Sequence, residues 1–317
     1  MVRRYISELR LGEQVDTVFR LNSREIRPYG NGKLSIQAQL ADKSGTLPAV
    51  MWDVSQGQID SFGKEGLLRV QGVVGQYKNA TQLEIKNFSR EELFFNLEDL
   101  FPWSKEDPRV LQSELEDIVN GLTDPYISQL LKLFLRDEEF VRKLCIGPAT
   151  TSYHHAYLGG LLEHTVAVAR LALQTSKLYP ILDRDLLVAG AILHDIGKLR
   201  ELSYQSGFSY TDHGRLVGHL ISGVLMVEEK AIQIKGFPQE RLDLLRHIIL
   251  SHHGETDYNS PRLPMMAEAL AVHHLDNLDA KLQGYQRAVA EDRDPESHWT
   301  ARQKMFGDIH LYKKGNK

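Results

Sequence analysis

Between about residue 12 and residue 90 the apolar positions come in short runs with a period of two. Leu34, Ile36, Ala38 and Leu40 alternate with polar neighbours, as in a half-buried strand. Asp42-Lys43-Ser44-Gly45 predicts a turn, 46–52 the next strand, and 67–74 a third run closed by Gly75. Lys78-Asn79-Ala80 predicts a loop, after which Leu83 and Ile85 alternate again. Beyond residue 95 the period becomes helical: Leu111, Leu115, Ile118 and Val119, then Leu130, Leu131 and Phe134. Dense apolar positions over 161–173 and a buried run over 185–193 follow, then helical stretches near 216–232, 238–250 and 267–285.

Four or five strands within roughly 80 residues, with no long helix among them, predict a small closed sheet. The five-stranded OB barrel is the usual solution at that size. The later stretches predict a helical bundle, so the chain reads as an α+β multidomain protein. Phe101-Pro102-Trp103-Ser104 and Asp107-Pro108 punctuate the two parts. The expected division is a barrel over 1–95, a helical linker and the start of the helical domain over 96–150, the helical domain over 151–290, and a charged tail over 291–317. That tail holds Pro295 and shows no core face; no internal repeat is visible.

The composition changes little. A chain of 317 residues, 42% hydrophobic and 25% charged, is long enough for a core in each part. No apolar run approaches the ~20 residues of a bilayer span, and the basic start Met1-Val2-Arg3-Arg4-Tyr5 lacks a signal peptide's apolar stretch. A single cysteine, Cys145, excludes an intrachain disulfide and fits a reducing compartment. A cytoplasmic protein that does not engage a membrane is expected. The net charge of −4 argues against a strongly basic nucleic-acid coat, although residues 1–95 carry 13 Lys and Arg against 11 Asp and Glu.

Chemistry concentrates in the helical half. His164, the pair His194-Asp195 ahead of Ile196-Gly197-Lys198, His219, the pair His252-His253 and Asp276 are dispersed imidazoles and carboxylates. Such a set suits Mn, Fe, Co or Zn rather than calcium, and only a bundle could bring it together. His194-Asp195 is the informative piece, since it ends an apolar run. An imidazole and a carboxylate placed there without partners would cost several kcal/mol, which a cation resolves. Gly197 would let the chain turn away, and Lys198 would reach a bound anion. The plainer alternative is that Asp195 pairs with Lys198 or caps a neighbouring helix.

The order His164, His194-Asp195, Asp276 resembles the HD superfamily of metal-dependent phosphohydrolases, and His219 with His252-His253 resembles its two-metal members. Tyr153-His154-His155-Ala156-Tyr157, Gly159-Gly160-Leu161-Leu162-Glu163-His164-Thr165 and Leu275-Asp276-Asn277-Leu278-Asp279-Ala280-Lys281 resemble stretches of YhaM-type exoribonucleases. Those enzymes also carry an N-terminal OB domain, so the resemblance covers roughly residues 10–310. It implies that His164, His194, Asp195 and Asp276 hold one divalent cation. Asp195 would bridge to a second cation, held also by His219 and by His252 or His253. His252 is preferred, with His253 behind it or lining the substrate cleft. Mn2+ is the expected ion, with Fe, Co, Zn or Mg as alternatives, and one or two ions per chain. His154 and His155 would contact substrate or serve the fold. His273 and His274 are expected to pack or to stand behind the ligands, and His213, His247, His298 and His310 are read as ordinary surface or core histidines.

The resemblance implies hydrolysis of a phosphodiester, with Asp195 and Lys198 as catalytic residues. A pair of cations would lower the pKa of a shared water from 15.7 towards neutrality and hold the phosphate oxygens. Lys198 would assist at the phosphate or form a structural salt bridge; Asp279, one turn after Asp276, would orient a ligand or a water. The barrel would bind single-stranded RNA or single-stranded DNA by stacking bases on aromatic side chains. Tyr29 and Tyr77 are the favoured contacts, Trp52 is undecided, and Phe19 and Phe62 are expected in the core. Arg27 would meet phosphates, and Arg24, Lys33 and Lys78 lie nearby in sequence.

The function expected is therefore a 3′-to-5′ exoribonuclease releasing nucleoside monophosphates, as a monomer or homo-oligomer. The rivals are a phosphohydrolase of nucleotides or other small esters, a non-catalytic nucleic-acid-binding regulator, and an oxygenating two-iron protein, against which the barrel argues. Cyclic-dinucleotide hydrolysis is disfavoured by the lack of a Gly-Tyr-Pro motif after the HD pair.

Overall fold

The computed structural model describes residues 3–30, 32–78, 80–91, 97–150, 157–204, 208–254, 261–292, 294 and 296–313. The chain divides into two compact units, 1–103 with 203–209, and 104–202 with 210–317.

The first unit is a closed barrel of β1 (Gln14–Tyr29), β2 (Lys33–Asp42), β3 (Gly45–Met51), β4 (Gly66–Tyr77) and β5 (Ala80–Glu91), in the order β1-β2-β3-β5-β4. β1 serves two neighbours: Gln14–Leu21 pairs with β4 and Arg20–Tyr29 with β2, and a register shift between Leu21 and Ser23 bends it round the barrel. Closure comes from the parallel contact of Ala49 and Val50 with Leu83 and Glu84. Alternation puts Phe19, Ile36, Leu40, Leu68 and Leu83 in one core, so Phe19 and Phe62 are buried as expected. Strand order and closure make this an OB-type barrel.

Three details differ from the expected pattern. Gly75 does not end its strand, which continues to Tyr77 opposite Ala80. Trp52 lies just outside β3. A short helix, α1 (Gln56–Phe62), sits between β3 and β4, started by a capping box of Ser55 and Gln58, and it supplies Ile59 and Phe62 to the core.

Next come α2 (Leu97–Leu100), α3 (Pro108–Asn120), α4 (Pro125–Leu135), α5 (Glu138–Ile146), α6 (Gly160–Leu178) and α7 (Arg184–Leu193). The chain continues through α8 (Lys198–Glu201), α9 (Asp212–Leu216), α10 (Gly218–Ala231), α11 (Gln239–Ser251) and α12 (Ala267–Glu291). Asp107, Asp124, Asp137 and Asp183 cap α3, α4, α5 and α7, accepting from amides of the first turn, with proline opening α3 and α4. Side chains of α3, α4 and α5 share one continuous core with α6, α7, α10, α11 and α12, within the second unit. The helical stretch expected near 216–232 is α10, and Gly218, at φ 76°, separates it from the short α9 that ends at Leu216.

The segment after α12 does have a core face. Thr300 and Leu311 are buried, the Thr300 amide donates to the Leu311 carbonyl at 2.9 Å, and Trp299 and Gln303 bridge to Tyr312 and Ile309. Met305 packs on Gly284 of α12 so closely that a Cβ there would meet its sulfur at 2.6 Å. The signal was missed because a chain without period still packs when it has a helix face to cover. Among the described residues no helix is long and apolar enough to cross a membrane.

Candidate metal centre

Five helices of the second unit deliver the dispersed ligands. His164 stands in the second turn of α6, and His219 follows Gly218 at the start of α10. Asp276 and Asp279 lie on α12. His194 and His252 occupy equivalent places, each the residue that ends a helix (α7 and α11), and each is followed by its partner, Asp195 or His253. Apolar side chains of α7 and α11 anchor those ends, which puts the polar pairs at the edge of the core rather than in solvent.

Asp195 is the centre of the arrangement. Its Oδ2 lies 3.4 Å from His194 Nε2 and 3.7 Å from His164 Nε2; its Oδ1 lies 3.5 Å from His252 Nε2 and 3.8 Å from His219 Nε2. Asp276 Oδ1 is 3.2 Å from His164 Nε2, and the His219 and His253 Nε2 atoms are 3.2 Å apart. Among the described residues, three sets have ligand atoms within 4.8 Å of one another: His164, His194 and Asp276; His194, Asp195 and His252; His219, His252 and His253.

The outer nitrogens decide what the inner ones can do. His194 Nδ1 meets the Ala191 carbonyl at 2.8 Å and His252 Nδ1 the Ile249 carbonyl at 2.9 Å, each three residues back. His164 Nδ1 meets Asp279 Oδ2 at 2.7 Å and His219 Nδ1 meets Glu201 Oε1 at 3.0 Å. Carbonyl and carboxylate oxygens only accept, so all four rings carry a proton on Nδ1 and, when neutral, turn an Nε2 lone pair inward. This is the tautomer a cation needs.

The inward atoms fit a cation and little else. Asp195 Oδ1 and His252 Nε2 are buried and make no hydrogen bond. Burial pushes the His252 imidazole down to about 3, so protonation does not relieve it. Burial also opposes charge on His164, yet the hydrogen bonds it donates to Asp276 and Asp279 push it up to about 10, so a proton on its Nε2 stands where positive charge is wanted. Burial would raise the Asp195 carboxyl, but the Lys198 ammonium and His194 hold it well below the usual carboxylate range.

Lys198 Nζ lies 2.5 Å from Asp195 Oδ2, the ion pair given above as its plainer alternative. Burial works against its charge, and Asp195, Asp276 and Glu201 outweigh burial and raise its pKa. Gly197 does not serve to turn the chain, since its φ is an ordinary −62°. It serves space: a Cβ there would fall 1.9 Å from the His219 carbonyl oxygen and 2.6 Å from the Gly223 nitrogen. The contact locks the His194-Asp195 turn against α10.

His273 is half-buried, its Nδ1 donating to the His252 carbonyl at 2.8 Å with its ring against Gly254, whereas His274 is exposed and does not pack into the core. His213 and His247 bond to Ser222 Oγ and to the Met265 amide. His154 and His155 lie outside the described residues. Glu201 escaped the sequence reading, because no local spacing links it to His219, 18 residues on.

On the barrel, Tyr29 and Trp52 meet edge to face with ring centroids 4.7 Å apart, and Tyr77 is 58% exposed with Lys78 Nζ 5.5 Å from its ring centre. Arg27 is paired with Glu25 at 2.7 Å, Lys33 with Asp53 at 2.8 Å, and Arg24 is occupied in binding the Ile59 carbonyl of α1.

Residues 161–281 match the HD domain family. The chain is 34% identical to the 3′-5′ exoribonuclease YhaM of Bacillus subtilis (strain 168) over 88% of each chain. It is 35% identical to that of Geobacillus sp. (strain WCH70), over 88% of this chain and 86% of the relative. A structural likeness to the second OB-fold domain of replication protein A from Methanococcus maripaludis covers 29% of this chain and 98% of that one, at 16% identity and a TM-score of 0.24. With an OB-type barrel ahead of an HD domain and relatives this similar along nearly their whole length, the chain belongs to the YhaM family of HD-domain hydrolases.

Proposed function

We propose that the protein is a metal-dependent 3′-to-5′ exoribonuclease that shortens single-stranded RNA and releases nucleoside monophosphates. The observation that carries it is the division of Asp195, one oxygen towards His164 and His194 and the other towards His219 and His252. One carboxylate presented to two imidazole clusters suits a pair of divalent cations, with His164, His194 and Asp276 on one side and His219, His252 and His253 on the other. When bound, such a pair supplies Lewis acidity at a phosphoryl oxygen and a water of lowered pKa. The Mn2+ preference, RNA as substrate and the direction of digestion rest on the chemistry of the donor set and on the name the relatives carry.

The remaining work falls to the chain. Asp279 and the Ala191 and Ile249 carbonyls hold three rings in the ligating tautomer. Lys198 sets a positive charge beside Asp195, where the scissile phosphate would bring its own negative charge. Residues 1–95 bind the strand, with Tyr29, Trp52 and Tyr77 stacking on bases, Arg27 near phosphates, and single-stranded DNA an acceptable substitute.

The test is a 5′-end-labelled single-stranded RNA incubated with Mn2+-loaded protein. A ladder shortening from the 3′ end, with nucleoside monophosphates as product, is expected. RNA left intact while free nucleotides are hydrolysed would replace this reading with a small-ester phosphohydrolase.

A further inference from the structure

We infer that Glu201 is a positioning residue dedicated to the outer of the two cation subsites, the one formed by His219, His252 and His253. The inference rests on the two-subsite reading above. A single oxygen, Glu201 Oε1, accepts both from the His219 backbone amide and from His219 Nδ1, each at 3.0 Å. It fixes where α10 begins and which way the ring faces, and it leaves His219 Nε2 pointing at Asp195 Oδ1 and His253 Nε2.

The carboxylate has no freedom to drift. The Glu201 amide donates to the Gly197 carbonyl at 3.1 Å, and its own carbonyl accepts from the Thr211 amide at 2.9 Å and from Thr211 Oγ1 at 3.2 Å. Gly214 lies so close that a Cβ there would stand 2.3 Å from the Glu201 carbonyl oxygen. The side chain is nearly buried, and Gly218, at φ 76°, lets the backbone carry His219 to it.

The inner cluster has a counterpart in Asp279, which braces His164, while His194 and His252 are braced by neutral carbonyls. Each cluster thus holds a carboxylate-braced imidazole, made more basic and better oriented by its anion.

The test is Mn2+ titration of the full-length ion-free protein by calorimetry, with thermal melting as the check on folding. Glu201→Gln keeps an oxygen able to accept both hydrogen bonds but loses the charge; Glu201→Asp keeps the charge but loses the reach. Both are expected to melt close to wild type and bind one ion unchanged, with the other losing about 10–100-fold in affinity. If either variant binds both ions as wild type does, or if both ions weaken alike, Glu201 serves only the fold. A wild-type chain that takes a single ion overturns the two-subsite reading itself, and this inference with it. Two ions bound without RNA cleavage would sink the nuclease reading and leave the role of Glu201 standing.

Discussion

Asp195 Oδ1 and His252 Nε2 face each other across 3.5 Å, both buried and neither hydrogen-bonded. Two acceptors left bare at that depth cost roughly 1–3 kcal/mol each, a cost that a shared cation removes. Replacing Asp195 by Asn takes away the anion common to both clusters. Elemental analysis is expected to show the bound divalent ions falling from two to at most one. Hydrolysis should drop by at least about 10²–10³, with single-strand binding by the barrel retained. Unchanged hydrolysis would remove Asp195 from the mechanism.

His164 depends on Asp279 for its orientation, through the 2.7 Å bond to Nδ1. Asp279→Asn is expected to raise the Mn2+ concentration needed for half-maximal activity by about 10–100-fold, with recovery at high Mn2+. Activity that stays low at every Mn2+ concentration would mean that Asp279 acts on substrate instead.

Much of this was legible because the signals are periodic or paired. Alternation at Ile36, Ala38 and Leu40 marked a strand, and the apolar run before His194-Asp195 marked a helix delivering two polar groups to the edge of a core. What escaped depends on contacts distant in sequence. Glu201 reaches His219 from 18 residues away, and Gly197 is a glycine because α10 passes behind it, neither of which leaves a local trace. The capping box of α1 did leave a trace, a Ser-x-x-Gln, too short to outweigh the surrounding pattern.

Gly197→Ala tests the close approach of α10. The added methyl finds the His219 carbonyl oxygen at 1.9 Å, so α10 must move and carry His219 with it. A loss of about 1–3 kcal/mol in stability is expected by denaturant unfolding of the ion-free protein, with weakened binding of the second ion. An alanine variant as stable as wild type would show that the turn has room to relax.

The barrel aromatics divide by exposure. Trp52 is 42% and Tyr77 58% exposed, whereas Phe19 is buried. Trp52→Ala and Tyr77→Ala are each expected to weaken binding of a single-stranded oligonucleotide by about 1–3 kcal/mol, read by fluorescence anisotropy. Cleavage of a small chromogenic phosphodiester should stay unchanged. Phe19→Ala should instead destabilise the barrel by about 3–5 kcal/mol. Equal binding by all the exposed-site variants would place the strand elsewhere.

Equilibrium dialysis of the purified chain against Mn2+, followed by elemental analysis, bears most directly on the clustered histidines and aspartates. Two bound ions per chain in the wild type, and loss of both when His194 and Asp195 are replaced together by Ala and Asn, are the expected result. A correctly folded wild-type chain that emerges without a bound divalent ion would contradict it.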